Sequence, residues 1–371
     1  MRAGTIFRLE KSGLDRLLSS LIQQGFRTLA PIERDGTVMW DVIESAAALP
    51  WGRRESQQPG CYRLEKGDAN RCFDVVNGPQ SLKSLTFVSR EKLSSVRREA
   101  DAGVSKINFY PVRPEAEKIA VLGARACDLA ALAMQEKILT QGEYADPFFT
   151  ARRDSLLIVA VNCMRSADTC FCASMDTGPK AISGFDLAMT ELDAAFLIEA
   201  GSEIGSAILA ELSLPVAEVG EIEAAAAAIA AAAASQKRAI DQHGLPQALF
   251  DAHNHPQWDD VAGRCLSCTN CTMVCPTCFC HAVEEVPSLD RGESERFRSW
   301  DSCFSPEHGY IHGKNMRPTT RERYRMWMTH KLGAWIDQFD ASGCVGCGRC
   351  ISWCPVGIDL VEEYSKVREE P

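Results

Sequence analysis

Residues 265 to 276 read CLSCTNCTMVCP and residues 344 to 355 read CVGCGRCISWCP. Both follow the pattern C-x2-C-x2-C-x3-C-P, in which three closely spaced thiolates each take one iron of a cubane. The fourth cysteine, turned away by the proline, ligates the other cluster in two-cluster ferredoxins. The ligand sets are therefore expected to cross: Cys265, Cys268, Cys271 and Cys354 for one 4Fe-4S cluster, and Cys344, Cys347, Cys350 and Cys275 for the other. Gly346 and Gly348 suit a loop whose backbone must approach sulfur and donate N–H bonds to it. Zinc also uses C-x2-C pairs but needs four ligands in all, fewer than two complete motifs supply.

The 68 residues between Cys275 and Cys344 are too many for a minimal ferredoxin, in which the motifs nearly abut. They include Thr319 to Phe339 (TTRERYRMWMTHKLGAWIDQF), where Tyr324, Trp327, Met328, Leu332, Trp335 and Phe339 recur near helical spacing and predict one helix. A mostly α-helical dicluster ferredoxin domain over 255–371 follows. Upstream, Glu221 to Gln236 (EIEAAAAAIAAAAASQ) is almost pure alanine and reads as a surface helix, with a flexible linker as the alternative. The stretch 216–254 is assigned to this helix and a linker.

Residues 1–215 alternate apolar runs with helical stretches and predict an α/β domain. Lys118 to Leu122 (KIAVL) and Leu156 to Val161 (LLIVAV) read as buried strands, with Asp128 to Leu139 as the helix between them. Cys127 follows the first strand and Cys163 the second, so pairing of the strands would place both at one carboxyl edge. The next loop brings Cys170 and Cys172 close, and a third cluster on these four cysteines is expected. Asp128 is an alternative oxygen ligand, and Cys278, Cys280 or Cys303 could complete the set; packing as small apolar side chains is the competing reading. His281, His308 and His312 are read as hydrogen-bonded or exposed histidines before ligands.

Seventeen cysteines, eleven of them between Cys265 and Cys354, favour local metal ligation over long-range disulfides. No run is long and apolar enough for a membrane span, and no signal-peptide core is visible, so a cytoplasmic location is expected and no membrane. The net charge of −10 argues against a general nucleic-acid binder. One basic run, Lys314, Arg317, Arg321, Arg323, Arg325 and Lys331, is read as charge compensation for anionic clusters. A zinc-stabilised structural or nucleic-acid-binding protein is the alternative of a different class. No G-x-G-x-x-G after a strand, P-loop or separate nickel-type cysteine pair is present, so no catalytic residues are assigned.

Beyond the ferredoxin motifs, RACDL at 125–129, TCFCASMDTGP at 169–179, GFDLAMTEL at 184–192, CPTCFC at 275–280 and WDSCF at 300–304 form a wider signature. With it, the chain resembles the beta subunits of cytoplasmic nickel-iron hydrogenases of the sulfhydrogenase type, and their relatives, the iron-sulfur electron-transfer subunits of anaerobic sulfite reductases. The resemblance implies an electron-transfer role between a flavin-bearing, NAD(P)-binding partner and a hydrogenase small subunit leading to the nickel-iron large subunit, or a counterpart role among sulfite reductase subunits. Cys127, Cys163, Cys170 and Cys172 look like the family's extra cysteine group. RACDL and SMDTGP stand where the familiar patterns have RPCDL and SMGTGP, which puts Asp176 in a glycine position.

Overall fold

The computed structural model describes residues 4–101, 104–290 and 292–369. Fifteen strands are described, in chain order. They begin with β1 (Phe7–Glu10), β2 (Arg27–Arg34), β3 (Thr37–Val42), β4 (Arg53–Gln58), β5 (Cys61–Lys66), β6 (Arg90–Asp101) and β7 (Val104–Pro111). They continue with β8 (Ile119–Ala124), β9 (Leu156–Val161), β10 (Leu187–Glu191), β11 (Ala195–Ala200), β12 (His281–Pro287), β13 (Glu293–Trp300), β14 (Tyr310–Ile311) and β15 (Lys314–Asn315).

A seven-stranded sheet runs in the order β1-β11-β10-β9-β8-β2-β3. Its centre is parallel, with β8 paired to β9 and β2, and β9 to β10, while β1, β11 and β3 join antiparallel. Helices cover both faces. Leu14, Leu17, Leu18 and Leu21 of Leu14–Gln23 pack with Ile208 and Leu209 of Glu203–Leu212 on one side. Ala126, Leu129 and Leu132 of Ala126–Thr140 pack with Phe149 on the other. Burial from both sides is why β9 is an unbroken apolar run, every residue of it buried.

The expected β8-helix-β9 rhythm is present, and the parallel pairing places Cys127 and Cys163 at one carboxyl edge. The alanine-rich stretch folds as a helix, Val219–Ala234, closed at its start by a capping box of Glu218 and Glu221. Ala225, Ile229 and Ala232 form its buried face.

The expectation of a mostly helical C-terminal domain needs correction. The insertion between the two motifs carries the hairpin β12-β13, which joins β6 and β7 in a four-stranded sheet ordered β12-β13-β6-β7. No residue of β12 is buried and nearly all are exposed, so the period-2 apolar pattern of a half-buried strand is missing from its sequence. The single helix expected over 319–339 is also interrupted. A capping box at Thr319 and Glu322 starts Thr320–Thr329, a π-helical turn spans His330–Ala334, and Trp335–Phe339 completes it.

Around this helix lies a second core of Trp258, Phe304, Tyr324, Trp327, Met328, Leu332, Ile351 and Tyr364. Phe171 and Met175, from the N-terminal half, belong to the same core. The turn of the β4-β5 hairpin also reaches over: Gly60 N donates to Ile351 O at 3.0 Å, and Tyr62 stacks on Trp353 with centroids 5.2 Å apart.

One buried ion-pair network locks the added hairpin to the rest. Arg298 on β13 pairs with Glu91 on β6 at 2.6 Å and with Asp146, and Glu91 also pairs with Arg152. Arg298 and Glu91 are almost fully buried. Removing one partner of such a network leaves uncompensated charge, at a cost of about 3–5 kcal/mol. Arg298→Ala is therefore expected to accelerate amide hydrogen exchange across β6, β12 and β13. Unchanged exchange there would contradict this role.

Candidate iron-sulfur centres

The two cysteine loops share one backbone course. In the first, the helix Gln257–Arg264 ends, Ser267 and Thr269 take left-handed conformations (φ 50° and 69°), and the short helix Asn270–Met273 follows. In the second, Gly346 and Gly348 occupy the corresponding positions (φ 61° and 74°) before the short helix Arg349–Ser352. Ser267 N donates to Cys265 Sγ at 3.4 Å, and Gly346 N donates to Cys344 Sγ at 3.5 Å. N–H groups aimed at sulfur are the donors that support thiolate ligands.

Surroundings explain why one loop uses glycines. A Cβ on Gly346 would lie 2.6 Å from the backbone of Cys172, and one on Gly348 would lie 2.4 Å from Thr169 O. Phe171 N donates to Gly346 O at 2.8 Å across the same contact. The first loop is at the surface, where Leu266 and Cys268 are exposed, and there Ser267 and Thr269 are accommodated.

Cys354, from the second motif, lines one cavity with Cys265, Cys268 and Cys271, and Cys350 also borders it. Phe304, Tyr324, Trp327, Ile358 and Leu360 form its apolar wall. Cys275, from the first motif, is buried and repels the thiolate forms of Cys344, Cys347 and Cys350 electrostatically. Each fourth cysteine thus faces the other motif's three. Among the described residues, no three His, Cys, Asp or Glu side chains converge as a single-ion site.

Burial raises the Cys271 and Cys344 thiols well above their ordinary value, chiefly by desolvation. Cys275 is driven the other way by a hydrogen bond from the Cys278 thiol and by Lys331. Lys331 Nζ donates to Cys275 Sγ at 3.2 Å, to Thr277 Oγ1 at 2.9 Å and to Gly343 O at 3.0 Å. It sits in the π-helical turn, a feature frequent at functional sites. Arg321 is held instead by Asp259, and Arg323 by the carbonyls of Phe304 and Thr319. Lys314 and His312 are exposed in the β14-β15 hairpin.

The N-terminal cysteines do come together. Cys127, Cys163, Cys170 and Cys172 are each less than 8% exposed. Cys170 is repelled by Cys172, Cys163 and Cys347, and Cys127 by Cys347 and Cys172. Cys347 of the second motif thus borders this group as well. Donors surround the sulfurs: Gln236 Nε2 lies 3.2 Å from Cys172 Sγ, Asn77 Nδ2 3.8 Å from Cys127 Sγ, and Arg125 Nη1 3.9 Å from Cys163 Sγ.

Asp128 is already engaged, accepting from Arg125 N at 3.1 Å and pairing with the buried Arg349 at 2.8 Å. Asp176 adopts φ 57°, the conformation that explains glycine in the familiar pattern, and accepts from Gln242 Nε2 at 3.2 Å. Cys278 contacts Cys275, while Cys280 contacts Cys303 and His308. His281 is exposed and turns toward Phe279 O. Asn77, Lys83, Gln236 and Arg349 lacked a sequence signal, because each reaches the cysteines from a distant segment; only tertiary proximity identifies them.

Soft sulfur ligands, N–H donors directed at them and buried cations offsetting negative charge fit iron-sulfur clusters. The fold and site define an iron-sulfur electron-transfer protein. A family model described as a 4Fe-4S dicluster domain matches residues 264–358. The chain is 33% identical over 303 residues to sulfhydrogenase 2 subunit beta of Pyrococcus furiosus, covering 80% of this chain and 89% of that protein. It belongs to the sulfhydrogenase beta-subunit family. No solved structure matches.

Two outcomes follow for this site. Gly348→Ala forces overpacking against Thr169, at about 1–3 kcal/mol, and should lower bound iron per chain, whereas Thr269→Gly in the first loop should not. Equal iron in both variants would contradict the close-contact argument. Lys331→Met removes a cation that favours the more negative, reduced state of the nearest cluster, so one potential should fall by tens of millivolts while Lys331→Arg largely preserves it. Spectroelectrochemistry reads this shift, and an unchanged potential in Lys331→Met would refute it.

Proposed function

We propose that this chain relays electrons, in the cytoplasm, between a flavin- and NAD(P)-binding partner and the small subunit of a nickel-iron hydrogenase. In this reading 255–371 form the dicluster unit, 216–254 the helix and linker, and 1–215 carry a third cluster site. Cys265, Cys268, Cys271 and Cys354 hold one cluster, Cys344, Cys347, Cys350 and Cys275 the next, and Cys127, Cys163, Cys170 and Cys172 the third. Bound clusters supply one-electron steps without bond making at the protein.

The observation that carries the reading is the continuity of the three cysteine groups. The first begins at exposed Cys268, the second is buried behind it, and Cys347 borders the third. Protein groups keep water away and hold charge: the aromatic wall encloses the first cavity, Lys331 attends Cys275, and Arg125 and Arg349 attend the third group. A chain of this kind has use for a redox partner at each end.

Anaerobic copurification from the native host tests the partners. Recovery with flavin-containing and nickel-containing chains supports the proposal; recovery with a sirohaem-containing chain would replace it by a sulfite reductase relay. For the crossed ligands, Cys354→Ser is expected to alter the signal of the cluster built on Cys265, Cys268 and Cys271, and Cys275→Ser that of the other. Electron paramagnetic resonance of the reduced variants checks this. An unaltered first-loop signal in Cys354→Ser would refute the assignment.

A further inference from the structure

Cys280 and Cys303 lie outside all three proposed ligand sets, yet the fold brings them together. The β12-β13 ladder ends at the pair His281 and Trp300. One step beyond, Asp301 N donates to Cys280 O at 3.0 Å, and the chain turns through Ser302 to Ser305 with Ser305 N bonded to Ser302 O at 2.8 Å. That turn folds Cys303 back so that its thiol hydrogen-bonds with Cys280. Both cysteines are free thiols, Cys303 buried and Cys280 half-buried.

A histidine completes the group. His308 contacts Cys280 on one side and places Nδ1 2.7 Å from Asp301 Oδ2 on the other. The hydrogen bond from Cys303, followed by that from His308, lowers the Cys280 thiol to about 4, and the bond to Cys280 raises His308 to about 8. A half-buried thiolate with a buried second thiol in contact is the arrangement of a thiol pair that can close to a disulfide. The group also lies beside the first cysteine loop, since Ser302 Oγ is 2.8 Å from Thr272 Oγ1, between Cys271 and Cys275.

We propose that Cys280 and Cys303 form a dithiol/disulfide couple, a two-electron site set beside the one-electron relay. It rests on the iron-sulfur reading only for its electron acceptors. On oxidation the Cys280 thiolate and the Cys303 thiol form one S–S bond, releasing one proton to solvent and two electrons. The electrons leave singly to oxidised 4Fe-4S clusters of the same chain, and the reverse sequence restores both thiols. His308, kept oriented by Asp301, supports the thiolate in the open form.

The test uses the full, cluster-loaded chain under anaerobic conditions, equilibrated in buffers of varied reduced-to-oxidised dithiothreitol ratio. Samples are quenched in acid, unfolded, alkylated with N-ethylmaleimide and mapped by peptide mass spectrometry. Cys280 and Cys303 should lose alkylation together in a single two-electron transition, yielding a linked peptide two hydrogens lighter. In Cys303→Ser, Cys280 should remain alkylated at every ratio. Alkylation of both wild-type residues at every ratio, or linkage of Cys280 to another cysteine, would overturn the proposal; the wild-type titration decides alone if the variant fails to fold. Visible absorbance of the same samples reports cluster content separately, so a failed iron-sulfur reading and a failed thiol couple remain distinguishable.

Discussion

The structure depends on one close approach, that of the second cysteine loop to the segment Thr169–Cys172. Gly346 and Gly348 have no room for a Cβ there, and the hydrogen bond from Phe171 N to Gly346 O fixes the register of the two segments. This contact brings the cysteine edge of the parallel sheet against the ferredoxin-type loop. Phe171 and Met175 then enter the C-terminal core, and Thr177 Oγ1 donates to Val345 O at 2.7 Å. Packing and site assembly are consequently the same event.

Electrostatics set the second constraint. Thiolates and clusters in a buried space require countercharge or hydrogen bonds, because an isolated buried charge is costly. Lys331 and Lys83 serve the region of Cys275, the latter through its bonds to the carbonyls of Thr272 and Met273. Arg349 and Asp128 form a nearly inaccessible pair between the second loop and the helix that begins beside Cys127. These groups explain how so many cysteines can share one interior. They also place fixed charge where it can influence electron affinity.

Legibility in the sequence followed the range of the signal. The paired motifs, the strand before Cys127 and the strand before Cys163 are local patterns, and the structure has them. The β12-β13 hairpin was missed because HAVEEVP and ESERFRSW are charged strands with little burial to impose alternation. The interruption at His330–Ala334 preserves an overall helical spacing of apolar residues, so periodicity could not expose it. Asp128 read as a ligand because it adjoins Cys127; its partner Arg349 lies far along the chain and is invisible to local reasoning. The pairing of Cys280 with Cys303 arises at a ladder end, where register alone decides which thiols meet.

The central claim is that the two motifs exchange their fourth cysteines and that a third group extends the relay into the sheet-rich half. Iron-edge anomalous scattering from anaerobically grown crystals tests it most directly. The account predicts three cluster-sized peaks: one among Cys265, Cys268, Cys271 and Cys354, one among Cys344, Cys347, Cys350 and Cys275, and one at the Cys127–Cys172 group. Peaks enclosed by each motif's own four cysteines, or no iron at the N-terminal group, would contradict it.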